Sequence, residues 1–537
     1  MRIRLTAVLI LLFFFQGTTS SFAESWVAPS VYADSEVAWQ ITDSFTVEGG
    51  ISWLKQNTKD ASPALKQEAE WQLCTEPGIA PCNRANGTWD ANISLPHCES
   101  ATQEWCIEGL TVSPPGPQKV VGEFLRNIAG PKTEAFPSLG IPAGSTAGLW
   151  RVKDVQHSGK TDTYVSLVNL RFVKSSQDAT PFISYMDARI IPYKQISGNS
   201  RKTARPYEQL RTVSYFDSVK NLNVMGISGG SEECAWTEDG VCGEIYDFNP
   251  NSKVSLTIRI SNKVTGWLMG RLRDPQVTVA PVSASQNRLT IEARPLAVPL
   301  FFVKAKVSEL TDAMKKTFLV DNFIVEKPTG IWGQKGNASQ SLDVIPAWKD
   351  AANDRAVASN VTWSFATTNF GSGSDCLKST DKLMGIVTTN SIAYEGTAPR
   401  FVDGFLDYKV AGVHFNPDGS VFEGRYDLVM LKSIAQCLYG FSDAPISATI
   451  SVLKDGAEER ISTSSLEEFG EGAFTWLKLS AQGFTFSNPT LRVKLTQAKA
   501  ASPVVAQKKK SITCVKGKTV KKVAGVNPKC PTGFRKR

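Results

Sequence analysis

The sequence predicts a mainly β fold, with two or more antiparallel β-sandwich-like domains, few short helices and a small basic, disulfide-stapled C-terminal tail. Three observations predict it. Apolar residues recur with a period of two rather than 3.6, turn-forming Pro, Gly, Asn and Asp punctuate these runs, and six of the ten cysteines are spaced in pairs for local loops. Successive side chains of a strand face opposite ways, so strict alternation marks a strand with one buried face.

Taken in chain order, the first element is a leader. Arg2 and Arg4 precede an unbroken apolar stretch from Ala7 to Phe15, and Ser21-Phe22-Ala23 places small residues where a signal peptidase reads them. Residues 1–23 are therefore expected to be a cleavable secretory signal, with Glu24 starting the mature chain. A membrane-spanning helix needs roughly 20 apolar residues, and this run breaks at Gln16. The next most apolar stretch, Leu296 to Val303, is short and interrupted by Pro299, so no transmembrane segment is expected in the mature protein. No cysteine stands near the cleavage point, which excludes lipid attachment there.

Residues 24–113 form a cysteine-rich β region that ends at the break Ser113-Pro114-Pro115-Gly116-Pro117. Residues 119–325 are expected to form a sandwich-like domain. Within it, Val254, Leu256, Ile258 and Ile260 alternate with polar residues, as do Leu289, Ile291 and Ala293, which predicts half-buried strands. Tyr164 to Val173 and Gly266-Trp267-Leu268-Met269-Gly270 add two more strands. After Lys327-Pro328-Thr329-Gly330, residues 330–497 are expected to form a second sandwich-like domain. There, Phe405 to Phe415 and Val421 to Met430 flank Asn416-Pro417-Asp418-Gly419, and Ile446 to Leu453 and Glu458 to Thr463 flank Asp455-Gly456; both pairs predict hairpins. Helices are expected at Ser308 to Phe318 and Pro346 to Val357. Residues 498–537 are a linker and tail.

The cysteine spacing favours disulfides in an exported chain. Cys74 and Cys82, Cys98 and Cys106, and Cys234 and Cys242 each enclose seven residues, and Pro77-Gly78 and Asp239-Gly240 supply turns. Paired zinc ligands usually stand closer, so no metal site is expected. Cys376 with Cys437 staples distant segments, and Cys514 with Cys530 closes the tail.

Charge is unevenly distributed. Lys499 to Arg537 holds twelve Lys or Arg and no acid; removing these twelve and the two arginines of the leader from the overall +8 leaves the body at −6. Such a tail calls for a partner of its own, an anionic cell-wall polymer or lipid surface, contacted through Lys516, Lys518, Lys521, Lys522 and Lys529. The basic run lacks interleaved aromatics, which argues against nucleic acid.

Signals for chemistry are sparse. Gly226-Ile227-Ser228-Gly229-Gly230 fits a nucleophile pattern, but Ser231-Glu232-Glu233-Cys234 leads into a disulfide loop instead of the helix that an elbow requires. Histidine, the usual base and metal ligand near neutral pH, occurs only at His97, His157 and His414. Neither Asp418-Gly419 nor Asp455-Gly456 extends into a calcium loop. No cofactor and no catalytic residue are assigned. Thirteen tryptophans leave carbohydrate stacking open, with Trp89, Trp105 and Trp236 in or beside disulfide loops, although core packing is the simpler role.

The tail Ile512-Thr513-Cys514-Val515-Lys516-Gly517-Lys518, continued by Val526-Asn527-Pro528-Lys529-Cys530-Pro531, resembles a C-terminal segment of many secreted actinobacterial proteins. The body resembles uncharacterised actinobacterial secreted proteins. The matching stretches are Cys234-Ala235-Trp236-Thr237-Glu238-Asp239-Gly240-Val241-Cys242, Gly266-Trp267-Leu268 with Gly270-Arg271-Leu272, and Tyr426-Asp427-Leu428 with Cys437-Leu438-Tyr439-Gly440-Phe441. The resemblance implies export and brings no catalytic residues. The expectation is a secreted or cell-surface, non-enzymatic envelope protein; a secreted hydrolase and a carbohydrate-binding module are the alternatives.

Overall fold

Alternating strands of this kind satisfy their backbone groups only by pairing, and the pairing defines the fold. The computed structural model describes residues 35–43, 52–59, 70–74, 76–128, 132–175, 180–196, 216–217, 222–223, 236–238, 241–320, 323–368, 374–377, 382–442, 446–454, 457–460, 463–486, 490–497, 510–525 and 527–537. Residues 1–23, where a secretory signal is expected, Ser228 and Cys234 lie outside the described residues, as does the side chain of Cys242. Two compact units are present: the described parts of 1–440 with 448–495, and those of 441–447 with 496–537.

The fold is mainly β, with large antiparallel sheets and short helices. In the first unit, one long sheet runs in the order Glu70–Leu73, Trp53–Lys59, Trp89–Ser94, Thr163–Lys174, Phe182–Ile196, Ser364–Thr368, Gly266–Pro281, Leu383–Thr389, Gly424–Leu431, Trp476–Phe484, Thr463–Phe469. Only the Gly266–Pro281 pairing with Leu383–Thr389 is parallel. The strand Gly266–Pro281 then leaves this sheet, and its second half pairs with Gln286–Lys306. Lys253–Ser261 and Cys106–Ser113 extend that second sheet. The far half of Gln286–Lys306 takes up Ala358–Thr362 and Glu36–Ile41. Strands from 24–113, 119–325 and 330–497 thus share common sheets.

The strand Lys253–Ser261 forms where the alternation places it, but it is covered on both sides, not one. Ser255 and Arg259 are buried along with the apolar set. Cross-strand hydrogen bonds make this tolerable: Thr111 with Ser255 at 2.7 Å, Thr257 with Thr290 at 3.0 Å, and Arg259 with Glu108.

Two local expectations are corrected. The turn at Asn416-Pro417-Asp418-Gly419 is present, with Gly419 at φ +87°, and Phe415 bridges Val421. The flanking strands nevertheless part: Phe405–Ala411 pairs with Thr490–Gln497, and Gly424–Leu431 pairs with Leu383–Thr389 and Trp476–Phe484. By contrast Ile446–Lys454 does pair with Ala457–Arg460. Helices are shorter than expected or shifted. Ser341–Trp348 carries Pro346 inside it instead of at its start, only Asp312–Lys315 of the earlier segment is α-helical, and Lys432–Tyr439 was not foreseen.

One core cluster surrounds Trp39, Phe318 and Trp348. Both indoles donate to the same buried hydroxyl, Thr317 Oγ1, at 3.1 and 3.0 Å. Each ring therefore buries its apolar area without stranding its N–H.

Candidate functional site

The sequence singles out the basic tail, and its geometry follows from a short turn. Lys510–Lys516 and Thr519–Gly525 pair around Gly517-Lys518, with Gly517 at φ +59°, a conformation that a side chain disfavours. Arg535–Lys536 adds a third strand beside Cys514 and Val515. Cys514 is the buried residue of this sheet and is bonded to Cys530. So small a sheet has little apolar core, and the disulfide supplies what burial cannot.

Lys516, Lys518, Lys521, Lys522 and Lys529 are all exposed. Cross-strand partners share a face, and Cys514 lies opposite Lys521 and Lys536, whereas Val515 lies opposite Arg535 and Thr513 opposite Lys522. Cations therefore stand on both faces of the sheet. Lys521 also sits over the Phe534 ring, 5.5 Å from its centre. Chemically, this is a disulfide-closed polycation, suited to charge neutralisation.

The remaining described disulfides join Cys74 to Cys82, Cys98 to Cys106, and Cys376 to Cys437. Beside the second lies an open depression of about 400 Å³ lined by Cys98, Glu99, Ser100, Ala101, Glu108, Arg259 and Arg288. Arg259 donates to the carbonyls of Ser100, Ala101 and Gln103 at 2.8–3.1 Å and to Glu108, and Arg288 binds Glu108 through two bonds at 2.6 and 2.9 Å. Burial works against the Glu108 carboxylate, but hydrogen bonds from Arg288 and then Arg259 outweigh it and hold its pKa below the usual value. A carboxylate committed to two guanidiniums is a poor proton donor or acceptor. The arrangement braces the disulfide loop.

The histidines are held by the fold. His97 stacks on Phe124 at 4.3 Å and turns Nδ1 to the Ile107 carbonyl. His157 is buried, faces the Tyr193 carbonyl and accepts from the Gly159 amide; burial depresses its pKa. His414 Nδ1 lies 2.5 Å from Asp354 Oδ2. Among the described residues no three His, Cys, Asp or Glu side chains converge as metal ligands. Trp39, Trp89, Trp150, Trp267, Trp348, Trp363 and Trp476 are buried, and Trp53, Trp71, Trp105 and Trp332 are half-buried, so none of these eleven stands exposed as a stacking platform; the side chain of Trp236 lies outside the described residues.

Sequence reasoning missed the buried ionic groups. Arg271 is 1% exposed and paired with Asp43, and Asp427 is fully buried beside Ser480. The available signal was charge at positions inside otherwise apolar strands, Gly270-Arg271-Leu272 and Tyr426-Asp427-Leu428. Comparison of the chain with protein-family models, curated proteins and solved structures finds no match.

Proposed function

We propose that this protein is an exported, non-enzymatic component of the cell surface, retained there by electrostatic attachment of its C-terminal sheet to an anionic wall polymer or lipid surface. The observation that carries the reading is the stapled sheet of 510–537, in which exposed lysines and arginines stand on both faces with no acid in the segment. Crowded like charges repel, and a polyanion relieves that repulsion while releasing its own counterions. Four disulfides and the lack, among the described residues, of a helix long and apolar enough to cross a membrane accord with an extracellular setting. The resemblance of the tail and of the Cys234 to Cys242 segment to secreted actinobacterial proteins points the same way.

The test compares retention on cells and on anionic vesicles for the full chain, a chain ending at Gln497, and a full chain with Lys516, Lys518, Lys521, Lys522 and Lys529 changed to Gln. The full chain should be retained and released as salt rises, and both variants should be lost at low salt. Equal retention of all three, or retention indifferent to salt, overturns the proposal.

A further inference from the structure

A second cationic feature lies in the body, where the net charge is otherwise negative. The strand Gly266–Pro281 is bulged between Arg273 and Gln276, and Asp274 within the bulge has φ +54°, a left-handed conformation that is uncommon without glycine. Bulges often serve to re-aim side chains. Here the bulge follows Arg273, which stands directly opposite Arg294 on the strand Gln286–Lys306. Like charges at opposed positions of an antiparallel pair destabilise it. A third arginine approaches from Gly424–Leu431: Arg425 places Nη1 3.8 Å from Asp274 Oδ1 and donates through Nη2 to Gln482 at 2.6 Å.

The neighbouring acids compensate only part of this charge. Asp274 is shared between its strand and Arg425, and its amide donates to Asp427 Oδ2 at 3.1 Å. Asp427 is fully buried and also accepts from Ser480, so it faces away from solvent. Arg273 donates from Nη2 to the Pro250 carbonyl at 2.9 Å, but its Nε is buried with no acceptor. Arg294 is exposed. A buried donor left unmade and arginines at directly opposed strand positions, with a third close to Asp274, are costly features that a bound anion would resolve together.

We propose that Arg273, Arg294 and Arg425 form an oxyanion-binding site that takes a phosphate group. Burial, then the proximity of Arg425 and Arg294, lowers the pKa of Arg273, as crowding of cations without sufficient counter-charge requires. Guanidinium forks suit tetrahedral oxyanions through paired N–H bonds, and three of them against the Asp274 carboxylate favour a dianion over a monoanion. The site is independent of the tail.

The test is calorimetric titration of the full chain at constant ionic strength with inorganic phosphate, methyl phosphate and dimethyl phosphate. Inorganic phosphate should bind, and Arg294→Gln and Arg425→Gln should each weaken it about tenfold or more, the scale of one lost charge-assisted hydrogen bond. Arg294 is exposed, so its substitution should fold; a melting temperature at or above that of the parent chain in phosphate-free buffer verifies this. The chain with its five tail lysines changed to Gln should bind undiminished. Methyl phosphate should bind and dimethyl phosphate, which is only a monoanion, should not, which identifies a terminal phosphate as ligand; equal binding of the two contradicts the preference for a dianion and overturns the proposal. Absence of binding, binding unchanged by both arginine substitutions, or binding lost with the tail lysines overturns the proposal.

Discussion

Arg271 and Asp43 meet in the interior although 228 residues separate them. The guanidinium donates from Nε to the carboxylate, from Nη1 to the carbonyls of Thr389 and Ser391 at 2.7 Å each, and from Nη2 toward Ile392 O at 3.3 Å. Tyr394 lies beneath it, its ring centre 4.1 Å from the guanidinium carbon. Asp43 in turn accepts the Gly336 amide at 3.0 Å. One ion pair thus ties the end of the strand Glu36–Ile41 to the long sheet and to the loop before the helix Ser341–Trp348.

Breaking that pair should be expensive because it strands a buried cation. Asp43→Ala is expected to cost about 3–5 kcal/mol in chemical denaturation. Replacing both partners, as Asp43→Leu with Arg271→Met, should cost less than the sum of the single changes. An additive double-mutant cycle would show that the two groups are not coupled.

Asp427 should leave a signature in the pH dependence of stability. Burial is the main cause that lifts its carboxyl to about 6 from an ordinary value near 4. The folded state then holds a proton that the unfolded state has released, so stability falls as pH rises from about 4 to 6. Asp427→Asn can still accept from the Asp274 amide and donate to Ser480, so it should fold and flatten that part of the profile. Denaturation midpoints between pH 4 and 7 measure this; an unchanged slope in the variant rules out Asp427 as its source.

Gly270 has no room for a side chain. A Cβ there would lie 2.5 Å from the Ser364 carbonyl oxygen and 3.1 Å from Phe365 Cα, both backbone atoms of the neighbouring strand. Gly270→Ala should destabilise by about 1–3 kcal/mol, the scale of overpacking in a core. A melting temperature equal to the parent's would mean that the sheet opens freely at this point.

The disulfides should differ in worth by loop length. Cys376 and Cys437 are 61 residues apart and Cys98 and Cys106 are 8 apart. On the chain-entropy account, removing the first as a Ser pair should cost about 4 kcal/mol and the second about 2.5 kcal/mol. Denaturation of the two double variants tests the order. A cost for the short loop above that of the long one would show that the Arg259 brace on Ser100, Ala101 and Gln103 depends on the bond.

Much of this was legible locally. The strand Lys253–Ser261, the hairpin of Ile446–Lys454 with Ala457–Arg460, and the tail each follow from alternation, a short turn or a charge run. Asp43, Arg271 and Asp427 were not legible, because a charged residue just past a strand or within one reads as solvent-facing until its partner is known. Pro346 misplaced a helix for a related reason. Proline favours a first turn, yet the helix Ser341–Trp348 buries Val344, Ile345 and Trp348, and that packing outweighs the preference.

Period-two patterning, turn chemistry and cysteine spacing were enough to point to a mainly β protein, to the local loops Cys74–Cys82 and Cys98–Cys106 and to a disulfide-closed basic tail, since each rests on contacts between residues near in sequence. The tertiary structure alone decided which strands are neighbours. Phe405–Ala411 and Gly424–Leu431 share a turn yet enter different sheets, and Lys253–Ser261 is buried on both faces. A repeat of two states which side chains share a face but not what lies across from that face. The choice among partners is made by the area they bury together and by the polar groups they satisfy, and those sums run over residues hundreds of positions apart.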